Sequence, residues 1–130
     1  MATINATINI SSDIMSYPVT INKSMTMKKA ASCHGLEETS GLNTKKFNAT
    51  TAVKIVDNTE GKASKASKVY IRNTGSSKTD YFYVALNASA AAAATTETIG
   101  KLYGGDWMLI PWIATAATTH DIFVAPSTAE

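Results

Sequence analysis

The chain has 130 residues, a formal net charge of +2 and one cysteine, which gives it the size of one domain with room for its own core and excludes an intrachain disulfide. Hydrophobic residues make up 45% of it and charged residues 17%, fewer charges than the roughly 25% of an ordinary globular protein; Thr, Ser, Asn and Ala take their place, a composition suited to strands and turns. The small positive excess is not gathered into the basic face that a nucleic-acid footprint needs, and no apolar run approaches the ~20 residues of a membrane span.

Period-two alternation runs through most of the chain. Residues 3–10, TINATINI, place Ile4, Ala6, Ile8 and Ile10 on one face, the pattern of a half-buried strand. Nothing in MATINATINI resembles a basic segment followed by a continuous apolar stretch, so no secretory signal is expected and the chain is read as made in a cytoplasm. Tyr17-Pro18 breaks the alternation. Residues 1–18 are therefore expected to be a strand or extended arm that pairs with a neighbouring subunit or forms an edge. Val19, Ile21, Met25 and Met27 then share a face, with Lys23 as the exception. Residues 29–46 read as a long polar loop, with room for one helical turn in GLEETSGL, and a loop of that length often contacts a neighbour.

Strand signals return at 47–56, around Val53 and Ile55, and at 68–73, where Val69 and Ile71 alternate against Tyr70 and Arg72. In YFYVALN, residues 81–87, Phe82, Val84 and Leu86 oppose Tyr81, Tyr83 and Ala85. With both faces apolar, this strand is expected at the centre of a sheet or under a partner. The alanine-rich 88–96 reads as a loop, because so short a run is marginal as a helix in water. Gly104, Gly105 and Asp106 between TIGKLY and WMLIPWI signal a hairpin turn. Pro111 places the returning strand at a sheet edge. Residues 121–126 form the last strand, with Ile122 and Val124 opposed to Phe123. About eight short strands and no long helix predict an all-β, single-domain antiparallel β-sandwich or jelly roll. Its expected parts are the arm at 1–18, the sandwich at 19–126 and a loose tail at 127–130.

Little in the chain suggests chemistry. Cys33 and His34 are adjacent, so an extended backbone points them to opposite faces, and His120-Asp121 has the same problem. Gly-x-Ser-x-Gly is absent. One cysteine, two distant histidines and a single adjacent acidic pair, Glu37-Glu38, make no zinc or calcium signature. Asp106 after Gly104-Gly105 would repel a phosphate. No enzyme, metal or cofactor is expected. Lys62, Lys65 and Lys68 recur three apart with no aromatic between them, which reads as a solvated linker and gives base stacking no support. The large aromatics remain. Tyr81, Tyr83, Tyr103, Trp107 and Trp112 are residue types enriched at interfaces and sugar-binding faces. Alternation sets Trp107 and Leu109 against Met108, Ile110 and Trp112. Trp107 is expected to cap the core, and Trp112, beside Pro111, to reach a contact outside it.

The second half of the chain supports a family resemblance. A strand ending in Arg72-Asn73-Thr74, the aromatic strand Tyr81 to Val84, and IGKLYGGDWMLIPW over Ile99 to Trp112 resemble small β-rich structural proteins of tailed-bacteriophage virions. The resemblance covers about the last 60 residues. It implies a capsid decoration, or cement, protein. Such a protein would bind the major capsid protein on the shell, assemble as a homotrimer or other homo-oligomer, and use no cofactor. Tail and fibre components share such modules. A carbohydrate-binding module using exposed aromatics is the reading from another class. The expected interface residues are Ile4, Ile8, Ile10, Tyr81, Tyr83, Tyr103 and Trp112, with neighbour contacts from the arm and from residues 29–46.

Overall fold

In a computed structural model the chain divides into two compact units, residues 1–42 and residues 43–130. The structure describes residues 5–12, 19–26, 42–47, 49–57, 66–87, 98–113 and 120–127. Ile4, Cys33, His34, Glu37, Glu38, Lys62 and Lys65, and the alanine-rich run, lie outside these residues. Among the described residues there are eight strands, all paired antiparallel, and no α-helix. The all-β antiparallel class expected from the alternation is the one observed.

The first unit contains β1 (Asn5–Ser12) and β2 (Val19–Thr26), paired over their whole length from Asn5↔Thr26 to Ser12↔Val19. The expected division at residue 18 falls between these two strands, and the structure groups both in the first unit.

The second unit is a sandwich of a four-stranded and a two-stranded sheet. Its strands are β3 (Val53–Val56), β4 (Ala66–Arg72), β5 (Tyr81–Leu86), β6 (Thr98–Tyr103), β7 (Trp107–Ile113) and β8 (Ile122–Pro126). The larger sheet has the order β3-β8-β5-β6, and β4 pairs with β7 in the smaller one. Strand β5 is central, as its two apolar faces require. From the larger sheet, buried Val84, Leu102, Ile122 and Val124 form the core with Phe82 and Leu86 beside them. From the smaller sheet come buried Trp112 and partly buried Val69, Ile71, Met108 and Ile110. Val84 and Ile122 are completely enclosed. Burial of a side chain of this size contributes roughly 1.5–3 kcal/mol.

Two irregularities adapt the ladders to this core. The β3–β8 register shifts between Lys54 and Val56, and Ile55 and Val56 both pack on the core. The β5–β6 register shifts between Val84 and Ala85, at the place opposite exposed Ile99. Both have the form of a β-bulge, which turns side chains out of strict alternation. The β-branched run at 47–56 is a strand only from Val53. Phe47 ahead of it packs on the core, with its ring 5.4 Å from that of Phe82.

Of the tail expected at 127–130 only Ser127 is among the described residues, and it is hydrogen-bonded to β5. Its amide donates to the Tyr81 carbonyl at 2.8 Å, and its hydroxyl accepts from the Tyr81 amide at 3.1 Å.

Candidate interaction surfaces

The Gly-Gly-Asp segment closes a tight turn without making the expected hairpin. Asp106 N–H donates to the Tyr103 carbonyl at 2.9 Å, and the Asp106 carboxylate accepts from Tyr103 N–H at 2.9 Å. Beyond this turn the strands part: β6 pairs with β5, and β7 pairs with β4. The turn therefore carries the chain from one sheet to the other. Asn73, just past β4, organises the crossing. Its amide donates to the Asp106 carbonyl at 2.9 Å, and its carbonyl accepts from Gly105 N–H at 3.0 Å. Its side chain donates to the Leu102 carbonyl at 3.0 Å and accepts from Gly75 N–H at 2.9 Å. Gly105 has a φ of +91°, the left-handed region that glycine enters freely. Gly104 is required for a different reason: a Cβ there would fall on the Ser77 carbonyl oxygen and 2.7 Å from that of Gly75.

This crossing reverses the expected roles of the tryptophans. Alternation along β7 holds, but Met108, Ile110 and Trp112 are the residues facing the core. Trp112 is only 8% exposed, and its indole N–H donates to the His120 carbonyl at 2.6 Å. It is a core residue and not an interface anchor. Trp107 is 52% exposed on the outer side. Because β7 pairs with β4 in the smaller sheet and not with β6, the face carrying Met108, Ile110 and Trp112 is the one turned toward the large sheet.

Three of the expected interface residues converge on the outer face of the large sheet. The Tyr81 and Tyr103 rings lie 5.1 Å apart, and the Tyr81 and Tyr83 rings lie 5.0 Å apart edge to face. The Tyr81 and Tyr83 hydroxyls are hydrogen-bonded at 2.9 Å. Lys101, opposite Tyr83 in the ladder, sets its ammonium 4.4 Å from the Tyr81 ring centre and 5.3 Å from that of Tyr83. The hydrogen bond from Tyr83, and then Lys101, lower the Tyr81 pKa below its ordinary value. The same hydrogen bond raises that of Tyr83. Hydrogen bonding to Tyr81 raises that of Lys101. Lys101 could not be identified from the sequence, because its place among the tyrosines depends on the β5–β6 register.

Other polar side chains serve the fold. Lys54 is ion-paired with Asp57 at 2.8 Å and with nearly buried Asp121 at 3.0 Å, and its pKa is raised by hydrogen bonds to these two carboxylates. An open groove of about 350 Å³ runs past Leu86, Ile99, Ile110, Pro111, Trp112 and His120. Among the described residues no group of three His, Cys, Asp or Glu side chains is placed to hold a metal ion.

The β1–β2 ribbon carries the remaining described candidates, Ile8 and Ile10. Its register puts Ala6, Ile8, Ile10 and Ser12 on one face with Met25, Lys23, Ile21 and Val19. Ile8, Ile10, Val19, Ile21 and Met25 are all exposed on it. The opposite face consists only of Asn, Thr and Ser. It is tied across the strands by Thr7 donating to Ser24 at 3.1 Å and Thr26 donating to Asn5 at 2.9 Å. One side of the ribbon is thus wholly polar, while the other exposes five large apolar side chains with Lys23 among them. No protein-family model, no curated protein and no solved structure matches the chain.

Proposed function

We propose that the chain is a non-enzymatic structural protein of a bacteriophage virion, a capsid decoration protein that binds the outer shell and reinforces it. The exposed apolar face of the β1–β2 ribbon is the observation that carries this reading. A two-stranded ribbon is marginal in water by itself, and a cluster of exposed large apolar side chains marks a place where another molecule sits. Burying the exposed part of Ile8, Ile10, Val19 or Ile21 against another chain contributes roughly 1 kcal/mol each. The resemblance of the second half to virion proteins supports the phage setting. The partners on this reading are the major capsid protein and further copies of the chain, as a homotrimer or another homo-oligomer. The protein is made in the bacterial cytoplasm and resides in the virion. A tail or fibre position is the alternative location.

The tyrosine cluster favours a second reading, a carbohydrate-binding module. Two features weigh against it. Lys101 covers one ring face of Tyr81, and Trp112, the largest aromatic expected on that surface, is in the core. Co-sedimentation of the full chain with capsid shells assembled without it tests the decoration reading. Wild type is expected to pellet with the shells, and a variant carrying Ile10→Asp and Ile21→Asp is expected to stay in solution. Equal pelleting of both, or pelleting of neither, contradicts the proposal.

A further inference from the structure

The outer face of the β4–β7 pair combines two exposed aromatics with two cations. Six of its positions, set by the register, are Lys68, Tyr70 and Arg72 opposite Pro111, Leu109 and Trp107. Tyr70 and Trp107 are about half exposed, and their rings lie 6.2 Å apart with a tilt of 36°. Arg72, the only arginine in the chain, is paired in register with Trp107 and exposed. None of these six residues carries a carboxylate. The nearest along the chain, Asp106, turns its carboxylate back onto the Tyr103 amide.

We infer that this face is a second docking surface, and that its occupant is a capsid-shell protein presenting carboxylates around an apolar pocket; the inference rests on the decoration reading. Charge selects the occupant. A second copy of the same face would bring two more cations into the interface and no carboxylate from these positions to pair with any of the four, and unpaired like charges are penalised there. Carboxylates on a different chain pair with both cations, and the Arg72 guanidinium can hold one through two parallel hydrogen bonds.

Composition selects protein over nucleic acid. Trp, Tyr and Arg are the residues that dominate hot spots at protein interfaces. The two rings already contact each other, so little side-chain freedom is lost when they are covered. Leu109 and Pro111 add apolar area next to them. Two cations alone would release only about two counterions from a nucleic-acid strand, a weak electrostatic grip. Strand β7 brings Trp107 beside Tyr70 and Arg72 from the other side of the ladder.

Binding of the full chain to shells lacking it, measured as a function of salt, tests the inference with Trp107→Ala and Arg72→Gln. Thermal unfolding checks that both variants fold. Each is expected to bind at least tenfold more weakly than wild type, and Arg72→Gln to flatten the salt dependence. Arg72→Lys is expected to recover part of the affinity. Unchanged affinity in both variants, with wild type bound, overturns this face while leaving the ribbon's role standing. A labelled oligothymidine strand bound by wild type and lost in Trp107→Ala, with shell binding unaffected, overturns it in favour of nucleic acid. No shell binding by wild type overturns the face and the decoration reading together.

Discussion

Asn73 donates its side-chain amide to the Leu102 carbonyl, 3.0 Å away and buried, and so ties the end of β4 to a strand of the opposite sheet. The same residue holds the Gly-Gly-Asp turn through its backbone. One asparagine thus joins the two layers where the chain passes between them. Replacing Asn73 with Ala leaves the Leu102 carbonyl without this donor and is expected to lower unfolding stability by about 1–3 kcal/mol. Urea unfolding of N73A measures this. A loss below a few tenths of a kcal/mol would show that the tie is not needed.

The two turn glycines separate by mechanism. Gly105→Ala meets no neighbouring atom and suffers only from its positive φ, an expected cost of about 1 kcal/mol. Gly104→Ala drives a methyl group into the Ser77 and Gly75 carbonyls, which belong to the backbone and cannot simply rotate aside. It is expected to be the more damaging of the two. Unfolding midpoints of the two variants, compared side by side, decide the order.

The tryptophans should differ sharply in stability experiments. Trp112→Ala opens the core and removes the bond to His120, an expected loss of about 3–5 kcal/mol. Trp107→Ala removes a half-exposed ring and is expected to cost about 1 kcal/mol or less in the isolated chain. Fluorescence gives an independent check: quenching by iodide should act on Trp107 and spare Trp112. Quenching that survives Trp107→Ala at full strength would contradict the assignment.

The tyrosine cluster is expected to titrate in an order set by its contacts. Tyr81 loses its proton below the ordinary tyrosine value near 10, and Tyr83 above it. The hydrogen bond from Tyr83 is the larger influence on Tyr81 and Lys101 the smaller, both favouring the phenolate. Tyr83→Phe should therefore move the Tyr81 titration upward, and Lys101→Met should move it upward by less. Ultraviolet titration of phenolate absorbance in the two variants tests the order. A downward shift in either one would reverse the sign of the proposed interaction.

Side-chain period explains how much of this was legible in the chain. Alternation in TINATINI and YFYVALN assigned correct faces to Ile8, Ile10, Phe82, Val84, Tyr81 and Tyr83, because a strand sends neighbours to opposite sides wherever it lies. Alternation also divided Trp107 from Trp112. It could not say which side was inward, since that depends on β7 pairing with β4 across more than thirty intervening residues. The turn chemistry of Gly104-Gly105-Asp106 was equally legible. Its use as a passage between sheets depends on Asn73, a partner far away in sequence. Lys101 and the Tyr70–Trp107–Arg72 face are products of register, which no local pattern specifies.

Capsid docking of the ribbon is tested most directly by a cryo-electron-microscopy reconstruction of virions in which mass spectrometry detects this chain. The decoration reading predicts density for the chain on the outer capsid surface, with Ile8, Ile10 and Ile21 covered by another protein subunit. Density confined to the tail, or a capsid-bound chain whose ribbon faces solvent, would contradict it.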